Sequence, residues 1–163
     1  MVRNTSCAAW RLLYDTLLAH GITPGTVAFT RTGKPYFEDA PIHFSLSHSR
    51  GVCAVSIADV PTGVDVELCR ASYPVHLVER SLSDNEKRVF QGDFTGIWCR
   101  KEALAKMTGE GITGYPAGLD TETAACVFQE ERLTVHNARY VLAAAFERTG
   151  IGQQSDGPGA SHK

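Results

Sequence analysis

The 163-residue chain has no run of 18 apolar residues, and its opening stretch MVRNTSCAAW lacks the apolar core of a signal peptide. Neither a membrane span nor a secretion signal is expected, which points to a soluble, cytoplasmic protein. Charge of either sign is nearly balanced, with 16 Lys and Arg against 18 Asp and Glu and a formal net charge of -2. Such a chain has no broad basic field for nucleic acid or an anionic membrane. Its cysteines, Cys7, Cys53, Cys69, Cys99 and Cys126, are odd in number and show no CxxC spacing. That count fits reduced thiols better than a disulfide framework or a zinc site, and the cysteines read as small apolar residues. No repeat and no clear linker interrupts the chain, and no GxSxG surrounds the serines of SLSHSRG, which argues against an acyl-transfer triad.

Among what is present, TSCAAWRLLYDTLLAHG spaces Ala9, Leu12, Leu13, Thr16 and Leu17 as one helix face, with Thr5 or Ser6 as N-cap and Gly21 as stop. A short β-prone piece follows, and the Gly-Lys-Pro after it reads as a turn presenting Lys34. Strands are expected over Ile42–Leu46, Val52–Ala58 and Gly63–Leu68, joined by Ser/Gly and Pro/Gly turns short enough for an antiparallel sheet. Ser83 and Glu86 have capping-box spacing, and the next helix, from DFTG onward, should stop at Gly109 and Gly111. The segment AACVFQEERLTVHNARYVLAAAFE, broken at QEE and HN, suggests two or three further strands. The rhythm of helix, strands, helices, strands indicates an α+β chain of two interleaved lobes.

Three places carry candidate chemistry. In GVDVEL, strand alternation sets Asp65 and Glu67 on one face, where two like charges need water, a basic partner or a cation. In WCRKEALAK, helical spacing puts Phe94, Ile97, Trp98, Leu104 and Ala105 on a buried stripe, with Glu102 and Lys106 at its edge. A surface Glu-Lys pair would explain those two equally well. Lys101 falls within the stripe, where a lysine either snorkels out or meets an anion. Asp65, Glu67 and Glu102 together would make a hard oxygen set suited to Mg²⁺ shared with phosphate oxygens, although a solvated acidic strand accounts for the first two alone. SLSHSRG offers hydroxyls, a histidine and a Gly-containing turn with free N–H groups, suited to phosphate but common in ordinary turns.

Taken in order, GKPYF, FSLSHS, GVDVE, RSLSDNEKRVF and WCRKEALAKMTGEGI resemble the successive signature segments of the 4'-phosphopantetheinyl transferases, and the Sfp-like branch in particular, since GKP and SHS precede GVDVE. The resemblance implies a pseudo-twofold, two-lobed α+β fold of antiparallel sheets packed with helices. It also implies transfer of phosphopantetheine from coenzyme A to a serine of an apo acyl or peptidyl carrier protein, with release of 3',5'-adenosine diphosphate. By the same resemblance Asp65, Glu67 and Glu102 are Mg²⁺ ligands, Glu102 is also a candidate base, and Lys106 neutralises the leaving phosphate. Ser47 and His48 should touch coenzyme A phosphates, Lys34 should lie beside the adenine nucleotide, and Lys101 near the pyrophosphate. Members of the branch carry further residues before the first helix found here. The expected division is therefore an incomplete N-terminal lobe at 1–62, a C-terminal lobe with the metal and catalytic residues at 63–150, and a tail at 151–163 too polar and Gly-rich to order itself. A monomer is expected, with a free sheet edge that favours self-association. The alternative function is a non-catalytic coenzyme A or carrier-protein binding module derived from this fold.

Overall fold

The computed structural model describes residues 2–112 and 116–148, so the tail expected at 151–163 lies outside the described residues. The first helix, α1, spans Val2–Ala19 and buries Leu13 and Leu17. It starts before the expected Thr5 or Ser6, which lie inside the helix, and its chain turns at Gly21, where φ is 69°. Two short strands, β1 (Val27–Phe29) and β2 (Pro35–Phe37), form a hairpin whose tip carries Lys34.

A second hairpin pairs β3 (His43–Ser49) with β4 (Val52–Ala58). Strand period sorts its side chains cleanly. Phe44, Leu46, Val55 and Ile57 pack against Leu13, Leu17 and Phe37 beneath α1. The other face, with Ser45, Ser47, Ala54 and Ser56, is small and polar and lies against β5 (Thr62–Leu68). The strand expected to end at Leu46 thus runs on to Ser49, and Ser47, His48 and Ser49 are strand rather than turn. The turn is confined to Arg50 and Gly51, with φ of 47° and 89°.

The third sheet has the order β5-β7-β6, where β6 is Cys126–Val135 and β7 is Ala138–Glu147, all antiparallel. QEE does not break β6. As an edge strand it leaves Gln129, Glu130 and Glu131 exposed without interrupting the ladder, so the region holds two strands, joined by a tight turn at His136 and Asn137, both with positive φ. A helix with no counterpart in the sequence reading, α2 (Val75–Ser81), precedes α3 (Asp84–Val89), whose capping box between Ser83 and Glu86 forms as expected.

The central helix is α4 (Phe94–Thr108), N-capped by Asp93 and closed by left-handed Gly109. It is buried around most of its circumference, Cys99, Lys101, Ala103, Ala105 and Met107 included, rather than along one stripe. Ala103, Leu104 and Met107 pack on Val141, Ala143 and Ala145 of β7, while Val64 and Val66 pack on the opposite face against Ala54. The approach of α4 to β5 depends on Gly63: a Cβ there would sit 2.0 Å from the Ala103 carbonyl oxygen and 2.4 Å from the Met107 nitrogen. Both obstacles are backbone. Gly63→Ala is therefore expected to lower unfolding free energy by about 3 kcal/mol or more, as overpacking does at its upper end. Urea unfolding checks this, and a variant as stable as the parent would show that α4 does not need so close a contact.

Candidate functional site

The site forms where the serine face of β3 meets the outer edge of β5 and one flank of α4. Strand β5 pairs with β7 on one side only, which leaves the N–H groups of Val64 and Val66 on its other edge. Hydroxyls satisfy them: Val64 N–H donates to Ser45 Oγ at 3.1 Å and Val66 N–H to Ser47 Oγ at 3.3 Å. Ser47 Oγ in turn donates to Asp65 Oδ1 at 2.7 Å, and Ser49 Oγ to Glu67 Oε2 at 3.4 Å. Side chains of one strand thus replace the ladder that a neighbouring backbone would supply.

Asp65 is buried, and Lys106 answers part of its charge. The Lys106 ammonium lies 2.8 Å from Asp65 Oδ1 and also donates to Ser47 Oγ and to the Val64 carbonyl, each at 3.1 Å. The second oxygen, Asp65 Oδ2, is buried with no hydrogen-bond partner among the described residues. Burial, and then the nearby Asp65 carboxylate, push the carboxyl of Glu67 up from its ordinary range. The same two causes raise Glu102, with Lys106 opposing and Glu67 adding to the rise. The three carboxylates therefore feel one another across β5 and α4. Among the described residues they are not already gathered into a metal-binding group.

The other expected residues fall in different places. Ser47 is at the centre of the cluster. His48 is the next residue on β3, so its side chain leaves by the opposite face and is exposed. Lys34 reaches the far end of α4, where its ammonium donates to the Met107 carbonyl at 2.9 Å and the Thr62 carbonyl at 3.3 Å, and Thr32 Oγ1 donates to the Gly109 carbonyl at 2.6 Å. A lysine at the last carbonyls of a helix is well placed against its dipole. Burial pulls its ammonium below the usual lysine range. Lys34, Lys106, Ser45, Gly109 and Gly111 line a cavity of about 250 Å³. Lys101 is not brought to this cluster. It is fully buried with its ammonium 2.7 Å from Glu86, so of the two fates open to a lysine in an apolar stripe it has met an anion.

Sequence reasoning missed Ser45, Ser49 and Glu86. For the serines the signal was their alternation with Phe44, Leu46 and His48, which marks a strand with one apolar and one hydroxyl face. For Glu86 the capping box was seen, but not that a second charge, Lys101, would seek it in the interior. Cys99 fits the apolar reading: its thiol donates to the Val141 carbonyl at 3.4 Å, and burial raises its pKa.

Residues 61–155, more than half of the chain, match the family model described as the 4'-phosphopantetheinyl transferase superfamily. Its relatives include three transferases of bacteria. The 4'-phosphopantetheinyl transferase psf-1 of Bacillus pumilus is 34% identical over 103 residues, 56% of this chain and 42% of that protein. The transferase AcpT of Salmonella typhimurium is 32% identical over 120 residues, 66% of this chain and 60% of that protein. A 4'-phosphopantetheinyl transferase of Bacillus subtilis is 27% identical over 106 residues, 58% and 47% of the two chains. The chain thus spans about half the length of the relatives it matches.

Proposed function

Because the chain belongs to the 4'-phosphopantetheinyl transferase superfamily, we propose that it transfers the 4'-phosphopantetheine group of coenzyme A to a serine of an apo acyl or peptidyl carrier protein in a Mg²⁺-dependent reaction that releases 3',5'-adenosine diphosphate. The observation that carries this reading is Asp65 Oδ2, a buried carboxylate oxygen without a donor among the described residues, coupled to two further carboxylates. Buried polar atoms in folded proteins are nearly always satisfied. A divalent cation would satisfy this one, and a set of three carboxylates is the hard oxygen chemistry that Mg²⁺ takes. Asp65, Glu67 and Glu102 would hold it, and when bound it supplies Lewis-acid neutralisation of the pyrophosphate oxygens.

The remaining work falls to this chain's own groups. Lys106, half-exposed beside the site, is placed to give its charge to the departing phosphate once it is released from Asp65. Glu102 is a carboxylate partly screened from water, placed to accept the proton of the attacking serine directly or through water. Ser47 holds Asp65 to β3, and with it the geometry of the acidic face. The cavity lined by Lys34 and Lys106 suits the phosphate-rich end of coenzyme A. His48, at the exposed end of β3, would reach a phosphate only from outside this cluster.

Intact-mass spectrometry of an apo carrier protein incubated with this protein, coenzyme A and Mg²⁺ is the test. The expected result is a gain of one phosphopantetheine group, and an unchanged mass would remove the assignment. A second reading, a coenzyme A or carrier-protein binding module without transfer, is favoured by one feature: Lys106 already occupies Asp65 Oδ1. That module would bind coenzyme A in calorimetry while leaving the carrier's mass unchanged.

A further inference from the structure

Below α4, on the side away from Asp65, lies a second charged cluster that the proposed chemistry does not use. Glu86 Oε2 accepts from Lys101 Nζ at 2.7 Å and from Ser83 N–H at 2.8 Å. Its Oε1 accepts from Thr121 N–H at 3.0 Å and Thr121 Oγ1 at 2.9 Å. Lys101 Nζ also donates to the carbonyls of Pro116 and Leu119, which uses all three of its N–H bonds. Both side chains are 0% exposed. One ion pair therefore ties three segments together: the start of α3, the middle of α4, and the chain from Pro116 to Thr121.

We propose that the Lys101–Glu86 pair is a positioning device that fixes the rotation of α4 about its axis and so presents Glu102 to Asp65 and Glu67. This rests on the reading of Glu102 as a group of the transfer site. Consecutive residues on a helix diverge by about 100°. Lys101 anchored on one side thus sets where Glu102 points on the next. Where α4 meets β5 and β7 the closest groups are small, Gly63, Ala103, Ala143 and Ala145, flanked by Leu104 and Met107, and Lys106 bonds to Asp65 on the site side. Lys101 adds a directional anchor on the other side of the helix, and the two together fix its rotation. A buried ion pair adds little stability over an apolar pair of the same shape, but it is directional. Lys101 in this role is a positioning residue and touches neither coenzyme A nor metal.

The single variant Lys101→Met leaves Glu86 charged and unanswered in the interior and is expected to unfold the chain. The informative protein is the double variant Lys101→Met, Glu86→Gln, which removes both charges. It should still fold and melt cooperatively, though at a lower temperature than the parent, because the carbonyls of Pro116 and Leu119 and one donor to Glu86 lose their partners. Its kcat for transfer to the apo carrier protein should fall by about 10²-fold, the cost of a misplacement near 1 Å, with KM for coenzyme A unchanged. Hydrogen exchange along α4 should rise while that of β3 and β4 stays the same. An unchanged kcat in the folded double variant overturns the proposal, as does unchanged exchange along α4. A raised KM at unchanged kcat would instead place Lys101 on the phosphates. If the parent protein itself transfers nothing, the transferase reading fails alone. Exchange along α4 then decides the clamp: raised exchange sustains it and unchanged exchange removes it.

Discussion

Asp65→Asn is expected to abolish Mg²⁺-dependent transfer. Asn keeps the shape and one acceptor oxygen for Ser47 and Lys106, which hold Asp65 Oδ1 at 2.7 and 2.8 Å. It replaces the partnerless oxygen Oδ2 with an NH₂ group that repels a cation. Loss of several kcal/mol of charge stabilisation, at one decade of rate for each 1.36 kcal/mol, corresponds to about 10³-fold or more. Asn is the sharper substitution because Ala would also strand Lys106, adding a structural fault to the chemical one. Single-turnover transfer to an apo carrier protein measures the effect, and a rate within tenfold of the parent would take Asp65 out of the metal site. A pH series adds a second readout. Cation binding requires deprotonated ligands, and Glu67 and Glu102 are both raised by burial and by Asp65. Affinity for Mg²⁺ should decline as pH falls, beginning above the range in which ordinary carboxylates titrate. Calorimetric titration of Mg²⁺ across pH values follows that decline.

Glu102→Gln is expected to be nearly as severe, with the rate falling ~10²–10⁴-fold as for a lost general base. The side chain keeps its size, and the fold has little reason to change, since Glu102 sits half-buried on the open flank of α4. The sign of the pH effect follows from its role. A base works when deprotonated, so the parent's rate should rise with pH through a carboxyl held above its ordinary range by burial and by Asp65. Measured at saturating Mg²⁺, where protonation of Glu67 no longer limits the rate, that acidic limb should disappear in the Gln variant. A loss smaller than tenfold, with the limb intact, would make Glu102 no more than a neighbour of Lys106.

How much of this was legible before the structure depended on whether a residue's role is local. The capping box at Ser83 and Glu86 and the stop at Gly109 use contacts within one turn of chain, and both appear where their spacing put them. Strand β5 and its Asp65/Glu67 face were equally plain, because alternation is a property of the strand alone. What could not be read was which element covers which face. Lys101 and Glu102 are neighbours in sequence, yet one is sealed against Glu86, 15 residues earlier, and the other opens toward Asp65. Nothing in the spacing of α4 says that both sides of the helix will be buried. For the same reason Ser47, His48 and Ser49 read as a turn after the strand expected to end at Leu46. The hydroxyls of SLSHS looked free to bind an outside ligand, whereas Ser45 and Ser47 are used on the N–H groups of β5. Helix α2 is short and irregular in pattern, and it was not seen at all.

The seam between β3 and β5 repeats every second residue, and a repeat has a weakness that a unique contact lacks. Were β3 to shift by two positions, about 7 Å along its axis, Ser45 would stand where Ser47 now stands, and the hydroxyl face would still meet the free edge of β5. The seam alone does not distinguish the two alignments, though only one delivers the hydroxyl of Ser47 together with the ammonium of Lys106 to Asp65. The distinction is made at the hairpin tip. Tyr140 on β7, buried among Val64, Val66 and Ala54, donates its hydroxyl to the Arg50 carbonyl at 3.1 Å. Arg50 sits in the two-residue turn that ends β3, so any slip of the strand pulls that carbonyl out of reach. A single phenol, outside the acidic cluster, thus acts as an index mark for it: together with Phe44 packed beneath α1, it keeps Ser47 of a repeating series as the one that holds Asp65.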